Sequence, residues 1–210
     1  MRLKKLIILF AIIATSVAAA SVKAQQSLPN PSVLLVEKLL TTRRCLECQL
    51  TELYLPKTNL RNVQLFKAKL QQANLTESDL RGANLAGADL MGAKLNGAIL
   101  EGADLKDANL RGADLSKAIL DDANLTGADL TGANLSGARI RTDGLMNVNL
   151  EGANLTGADL SSNTLFRVNL TNAILRQANL SNTLFIDTKV EGADFCGALL
   201  PNRRSIARCQ

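Results

Sequence analysis

The chain has 210 residues, 24 of them basic and 19 acidic, and contains neither His nor Trp. The missing imidazole removes the commonest general base and the commonest metal ligand. Arg2, Lys4, Lys5 and Lys23 precede residue 25 and no acid does, which leaves 20 basic against 19 acidic residues, a net +1 that gives no reason to expect a nucleic-acid or membrane-surface partner.

Residues 1–24 read as a secretory signal peptide. A basic start is followed by an unbroken apolar run over 6–14 and a small-residue stretch to Ala20. Val22-Lys23-Ala24 fits the small-x-small pattern of a signal-peptidase site, placing cleavage after Ala24. The apolar run is short for a bilayer span, which argues against a retained anchor. No Cys follows it closely, which argues against a lipid anchor. Export puts the four Cys in an oxidising compartment.

Residues 25–47 read as an N-terminal cap. Ser32 can N-cap a helix after Pro31, and the apolar stretch 33–40 is broken only by Glu37 and Lys38, so a helix is predicted over about 32–42. Cys45 and Cys48 form a C-x-x-C pair. A redox dithiol of this kind needs a thioredoxin-like βαβ setting, and the sequence offers none. Cys48 occupies the inward position of the first unit of the repeat that follows, so the pair reads as structural. Two thiols with no His make a poor zinc site.

The repeat then governs the chain. From Leu50 to Leu200 every fifth residue is apolar, 31 positions without insertion or deletion. Two residues earlier, Ala holds every unit from Ala83 to Ala138, usually with Asn or Asp between, as in Ala83-Asn84-Leu85 and Ala88-Asp89-Leu90. Gly is frequent two residues after the Leu. The unit is Ala-(Asn/Asp)-Leu-x-x over 48–202.

A period of five matches neither the helical 3.6 nor the strand period of 2. Wound as an α-helix, the Leu would rotate around the axis and form no stripe. Three extended residues followed by a two-residue corner satisfy it: Ala and Leu face inward, Asn or Asp faces out, and Gly or polar residues turn the chain. Four corners close a 20-residue coil, and Ile99 and Ile119, both in Ala-Ile-Leu units, lie one coil apart.

The pattern breaks on one face. Asp143, Asn163 and Thr183 stand where Ala is expected, one coil apart. They read as a local bulge whose side chains satisfy nearby backbone groups, with a ligand or ion site as the alternative. Asp143 is expected to turn outward or find donors, because an unpaired buried carboxylate is costly. One residue after the core position, Met146, Phe166 and Ile186 are expected to point outward and stack into an apolar strip. Such a strip serves either as a partner surface or as packing beneath the C-terminal tail. Phe66 holds the same column too far away to join it. Tyr54 and Pro56 read as a disturbance of the second unit that fits the N-terminal helix.

The unit, above all residues 83–137, resembles the pentapeptide-repeat family, whose repeat is A(D/N)LXX, and the resemblance covers 155 of the 210 residues. It implies an all-β fold, a right-handed quadrilateral β-helix with the short helix as its cap. At the usual strand spacing the rod is about 37 Å long. Cys196 then lies outside the last full coil and Cys209 in the polar tail 203–210. The two ends are too far apart for a disulfide between them, which pairs Cys45 with Cys48 and Cys196 with Cys209. The second bond would pin the tail over the open end of the ladder and blunt an edge able to aggregate.

Exported members with a leading helix, Cys-x-x-Cys and a C-terminal Cys resemble cyanobacterial and chloroplast lumenal proteins, which implies thylakoid lumen or periplasm. The family also holds gyrase-protecting DNA mimics, which are cytoplasmic, dimeric and strongly acidic; an export signal and a near-zero charge argue against that reading here. No nucleophile–base pair, phosphate loop, metal cluster or cofactor site is legible. The expectation is a non-enzymatic scaffold that binds another protein.

Overall fold

The computed structural model describes residues 31–142 and 144–201. Helix α1 spans Pro31–Thr42, its first residue a Pro whose fixed φ suits a helix start. Val36, Leu39 and Leu40, with Leu35, fall on one face at helical spacing; Leu39 is fully buried and the others pack beside it against the end of the core. The Thr41 and Thr42 hydroxyls donate to the carbonyls of Glu37 and Lys38 at 2.8 and 2.7 Å. Arg43, at φ 56°, ends the helix in the left-handed region, and its guanidinium donates to the Asn59 carbonyl of the first coil.

The coil begins one unit earlier than the Leu series suggests. Arg44 bridges Gln64 in parallel, and the Cys45 N–H donates to the Gln64 carbonyl at 2.8 Å. Residues 43–47, expected in the cap, are therefore the first unit, with Cys45 in the Leu position and buried. Cys48, expected to face fully inward, is half-buried.

From there each unit bonds to the unit 20 residues on, in four parallel ladders that start at Arg44, Gln49, Tyr54 and Asn59. The hydrogen bonds alternate: the Leu90 N–H donates to the Asn109 carbonyl at 2.7 Å, and the Asp89 N–H to the Ala68 carbonyl at 2.9 Å. At each regular corner the Ala N–H bonds back to the Leu carbonyl three residues earlier, as from Ala93 to Leu90 at 2.9 Å. The second corner residue has φ between 51° and 71°, the left-handed position of a type II turn. Gly92 shows why Gly recurs there: at φ +64° a Cβ would also lie 2.1 Å from Gln72 Nε2, the side chain one coil below.

The central Asn or Asp has a defined task. The first corner residue has no ladder partner for its N–H, and the carboxylate or amide two residues earlier accepts it, as Asp104 does from Lys106 at 3.1 Å. Asn adds a donor that reaches the coil below: Asn109 Nδ2 donates to Asp89 Oδ1 and Asn124 Nδ2 to Asp104 Oδ1, both at 3.0 Å. This explains why Pro56 is harmless. It takes the first corner position, where no ladder bond is lost, and Tyr54 takes an ordinary outward position bridging Asn74. The disturbance of that unit is confined to its corner, where the Thr58 N–H makes no bond back to Leu55 and the Thr58 hydroxyl donates to the Pro56 carbonyl at 3.1 Å.

Inside, the Leu and Ala columns form one continuous core, most of whose members are inaccessible to solvent. Only on one face do the ladders lengthen into strands: β1 (Leu145–Met146), β2 (Thr164–Phe166) and β3 (Leu184–Ile186), parallel and in the order β1-β2-β3.

Candidate interaction site

The three strands lie where the repeat departs from Ala. Asn163 turns its side chain into the core, 1% exposed, and is completely bonded there. Its Oδ1 accepts the Thr142 N–H at 3.0 Å and the Thr142 hydroxyl at 2.9 Å; its Nδ2 donates to the carbonyls of Ile140 at 2.5 Å and Leu160 at 2.9 Å. In a regular corner a carbonyl such as that of Leu160 accepts the backbone N–H three residues on. Here it accepts the Asn163 amide and, from the coil above, the Thr183 hydroxyl at 2.9 Å. Asp143, the third of these residues, lies outside the described residues. Beside it the ladder opens: the Asn124–Gly144 bridge that the repeat would place is absent, and the Gly144 N–H turns to Thr142 Oγ1 at 3.2 Å.

The next corner on this face is altered too. Val148, Val168 and Thr188 replace Ala there, and none of them donates back to the residue three earlier. The Leu165 carbonyl instead accepts the Thr188 hydroxyl at 2.7 Å. A β-branched residue fills the interior that the polar column opens, the turn bond is lost, and the backbone stays extended one residue further, through Met146, Phe166 and Ile186. These positions were missed in the sequence. Their signal was available: three β-branched residues, 20 apart, in the column that Ala68, Ala88, Ala108 and Ala128 hold below them.

Met146 pairs with Phe166 and Phe166 with Ile186 across the sheet. Met146 is 46% exposed, Ile186 42% and the neighbouring Leu184 60%, while Phe166 is half-buried between its neighbours. The Arg167 guanidinium stands 4.8 Å from the Phe166 ring centroid and 3.8 Å from the Asp187 carboxylate, one cationic and one anionic group along the strip. Phe66 sits in the same column far below, with Lys67 Nζ 5.1 Å from its ring centroid.

Several other ionic groups are tied into the rod. Asp121 Oδ2 lies 2.6 Å from Arg139 Nε and 3.1 Å from Arg141 Nη2, beneath the opened ladder. Burial pushes the Asp129 carboxyl up, but hydrogen bonds from the Thr131 hydroxyl and N–H and from Arg111 together hold it below the usual carboxylate range. The Arg176 guanidinium, 2.5 Å away, and the Cys196 N–H do the same for Asp194. Among the described residues no three His, Cys, Asp or Glu side chains converge as a metal site would need, and no helix is long and apolar enough to cross a membrane.

The cysteines lie at the two ends. Cys45 and Cys48 are disulfide-bonded with Cα atoms 5.5 Å apart, beside a cleft lined by Lys38, Thr42, Arg44 and Leu46. Cys196 is half-buried on the last coil and disulfide-bonded. Cys209 lies outside the described residues.

A four-sided coil of parallel ladders, with a uniform core and one altered outer face, defines a repeat protein of the β-helix class. A family profile for pentapeptide repeats (8 copies) matches residues 44–82, 68–107, 108–142, 145–167 and 164–200, and the chain belongs to the pentapeptide-repeat family, whose members fold as right-handed β-helices. Among solved structures the chain is similar to a trypsin-treated form of QnrB1, a plasmid-mediated fluoroquinolone resistance protein, at 17% identity and TM-score 0.55, over 75% of this chain and 81% of that one. It is also similar to HetL of the cyanobacterium Nostoc sp. strain PCC 7120, involved in heterocyst differentiation regulation, at 25% identity and TM-score 0.35, over 81% and 97% of the two chains. A pentapeptide repeat protein from the Arabidopsis thaliana thylakoid lumen is 34% identical over 57% of this chain and 68% of its own, with TM-score 0.26. A search of curated proteins finds no match.

Proposed function

We propose that this protein is an exported, non-catalytic scaffold that binds another protein through the Met146–Phe166–Ile186 strip. The observation that carries the reading is the strip's construction. Three apolar side chains stack in register on extended backbone that the buried Asn163 and Thr183 network holds open. A buried amide that makes all its bonds fixes one local conformation, because an unpaired partner would cost about 1–3 kcal/mol. The exposed side chains are therefore presented on rigid backbone, with little ordering left to do on binding. The polar side chains of Thr142, Asn163 and Thr183 are satisfied by bonds within the protein.

Export is supported by the basic, apolar and small-residue order of residues 1–24 and by the disulfides, and the compartment is periplasm or thylakoid lumen. The test is affinity capture from the native compartment with the wild type and with Met146, Phe166 and Ile186 all changed to Ser. Loss of captured partners from the triple variant supports the strip. An identical captured set rules it out as the binding surface.

A further inference from the structure

The first corner of the rod is closed in a way of its own. In the next unit the Leu53 N–H bonds back to the Leu50 carbonyl at 3.0 Å, as regular corners do. Cys48 stands at the same corner position, but its N–H makes no such bond to Cys45, and the Cys45–Cys48 disulfide spans the corner instead. The Cα atoms are 5.5 Å apart, within the separation of less than about 7 Å that a β-turn holds without any crosslink. Cutting the bond therefore asks nothing of the ladder. The Cys45 N–H keeps its bond to the Gln64 carbonyl, and the Cys48 N–H can make the usual corner bond.

The disulfide is also within reach of another molecule. It borders a cleft of about 470 Å³ between the last turn of α1, which gives Lys38 and Thr42, and the first unit, which gives Arg44 and Leu46. Cys45 is 3% exposed and Cys48 half-buried, so an incoming group meets Cys48 first. Two cations and no acid line the cleft; Glu47, between the cysteines, is exposed at the corner and does not line it. In disulfide exchange a thiolate both attacks and leaves, and neighbouring Lys and Arg favour that anion. Leu46, 52% exposed between the two cysteines, offers an apolar contact beside them.

From these observations we infer that Cys45–Cys48 is an exchangeable disulfide, reduced in the folded rod by a dithiol that another protein carries. A thiolate of that dithiol attacks Cys48 Sγ. The Cys45–Cys48 bond breaks, a mixed disulfide forms on Cys48, and Cys45 leaves as a thiolate beside Lys38 and Arg44 and takes up a proton. The dithiol's second thiol gives up its proton and attacks its own partner sulfur, which closes the dithiol's disulfide and releases Cys48. Two electrons and two protons thus pass from the dithiol to the cysteine pair. The pair is acted upon and is not a catalyst, in keeping with a fold that lacks a thioredoxin-like setting. The site lies at the helix end of the rod and uses no residue of the Met146–Phe166–Ile186 strip, so it stands apart from the binding proposal.

The test uses the full chain produced under oxidising conditions, with differential alkylation and peptide mass spectrometry reading Cys45 and Cys48 apart from Cys196. Dithiothreitol is expected to reduce the native bond at a rate within about tenfold of that in the chain unfolded in guanidinium. Amide protection over residues 83–137 is expected to survive the reduction. Reduced thioredoxin, used as the protein dithiol, is expected to reduce the bond as well, and a thioredoxin variant lacking its second cysteine is expected to be trapped on Cys48. The double variant Lys38→Gln, Arg44→Gln is expected to slow reduction by about threefold or more. A native bond slower than the tenfold bound, trapping on Cys45 or on neither cysteine, a rate that both cations leave unchanged, or loss of protection over 83–137 on reduction overturns the inference.

Discussion

Residues 83–137 and 142–188 obey one five-residue count, yet they solve different problems. In the first stretch every inward position is Ala or Leu, every corner closes with its turn bond, and the outward Asn and Asp stack on one another. In the second, one face of three successive coils trades Ala for polar residues at one corner and for β-branched residues at the next. The remaining faces there keep the regular pattern. The regular stretch sets length and straightness. The altered face gives up the corner bonds of Val148, Asn163, Val168 and Thr188 while Thr183 keeps its own to Leu180 at 3.2 Å, recovers part of the loss through side chains of Asn163, Thr183 and Thr188, and extends the backbone beneath an apolar strip. The solenoid thus tolerates a local change without losing register, because each coil touches only its neighbours.

Asn163→Asp is the sharpest way to break this contrast. It aims a carboxylate at the Ile140 and Leu160 carbonyls in a dry interior, and the expected loss is about 3–5 kcal/mol in chemical denaturation. Asn134→Asp in the regular stretch also removes an inter-coil bond, to Asp114, but on the surface, and is expected to cost about 1 kcal/mol or less. Equal effects would show that the buried network holds nothing in place.

Exchanging Ala and Val between the two stretches sharpens the point. Ala118→Val overpacks a regular corner and is expected to cost about 1–3 kcal/mol. Val168→Ala leaves a void at the widened corner and is expected to cost about 1–2 kcal/mol without restoring the turn bond. Thermal unfolding of both variants checks this; a stabilising Val168→Ala would mean that the wide corner does not depend on its side chain.

A smaller effect belongs to pH. Asp129 and Asp194 are held below the usual carboxylate range, so their stabilisation is complete above about pH 4 and is lost as pH falls through the lowered values. Asp129→Asn is expected to flatten the acid limb of the stability–pH curve, with little change at pH 7 beyond the lost Arg111 pair. The smallest effect on folding is expected from the strip. Met146→Ser and Ile186→Ser each change stability by about 0.5 kcal/mol or less, because both side chains are already exposed.

Much of the architecture was legible because burial and the covalent spacing share one period. Leu at every fifth position, with Ala two before it, dictates which side chains face inward wherever backbone bonds are made between coils. The start of the ladder was harder to place, since Cys45 substitutes for Leu and its unit looks like linker. Tyr54 and Pro56 stood out for a related reason: they are unusual residues at positions where the ladder loses nothing, and only the corner bond at Thr58 is missing. The polar column was visible as Asp143, Asn163 and Thr183, but its consequence was not. The bonds from Asn163 to Ile140 and Thr142 reach back more than one coil, and the matching Val148, Val168 and Thr188 look like ordinary conservative replacements of Ala until the missing corner bonds give them meaning.

The binding claim rests on where a partner touches the rod, and site-specific photo-cross-linking in the native compartment reads that directly. A photoreactive phenylalanine analogue in place of Phe166 is expected to capture a distinct protein adduct, and the same probe in place of Met91, an exposed residue of the regular stretch, is not. Adducts of the same identity and yield from both positions, or none from position 166, would contradict the account.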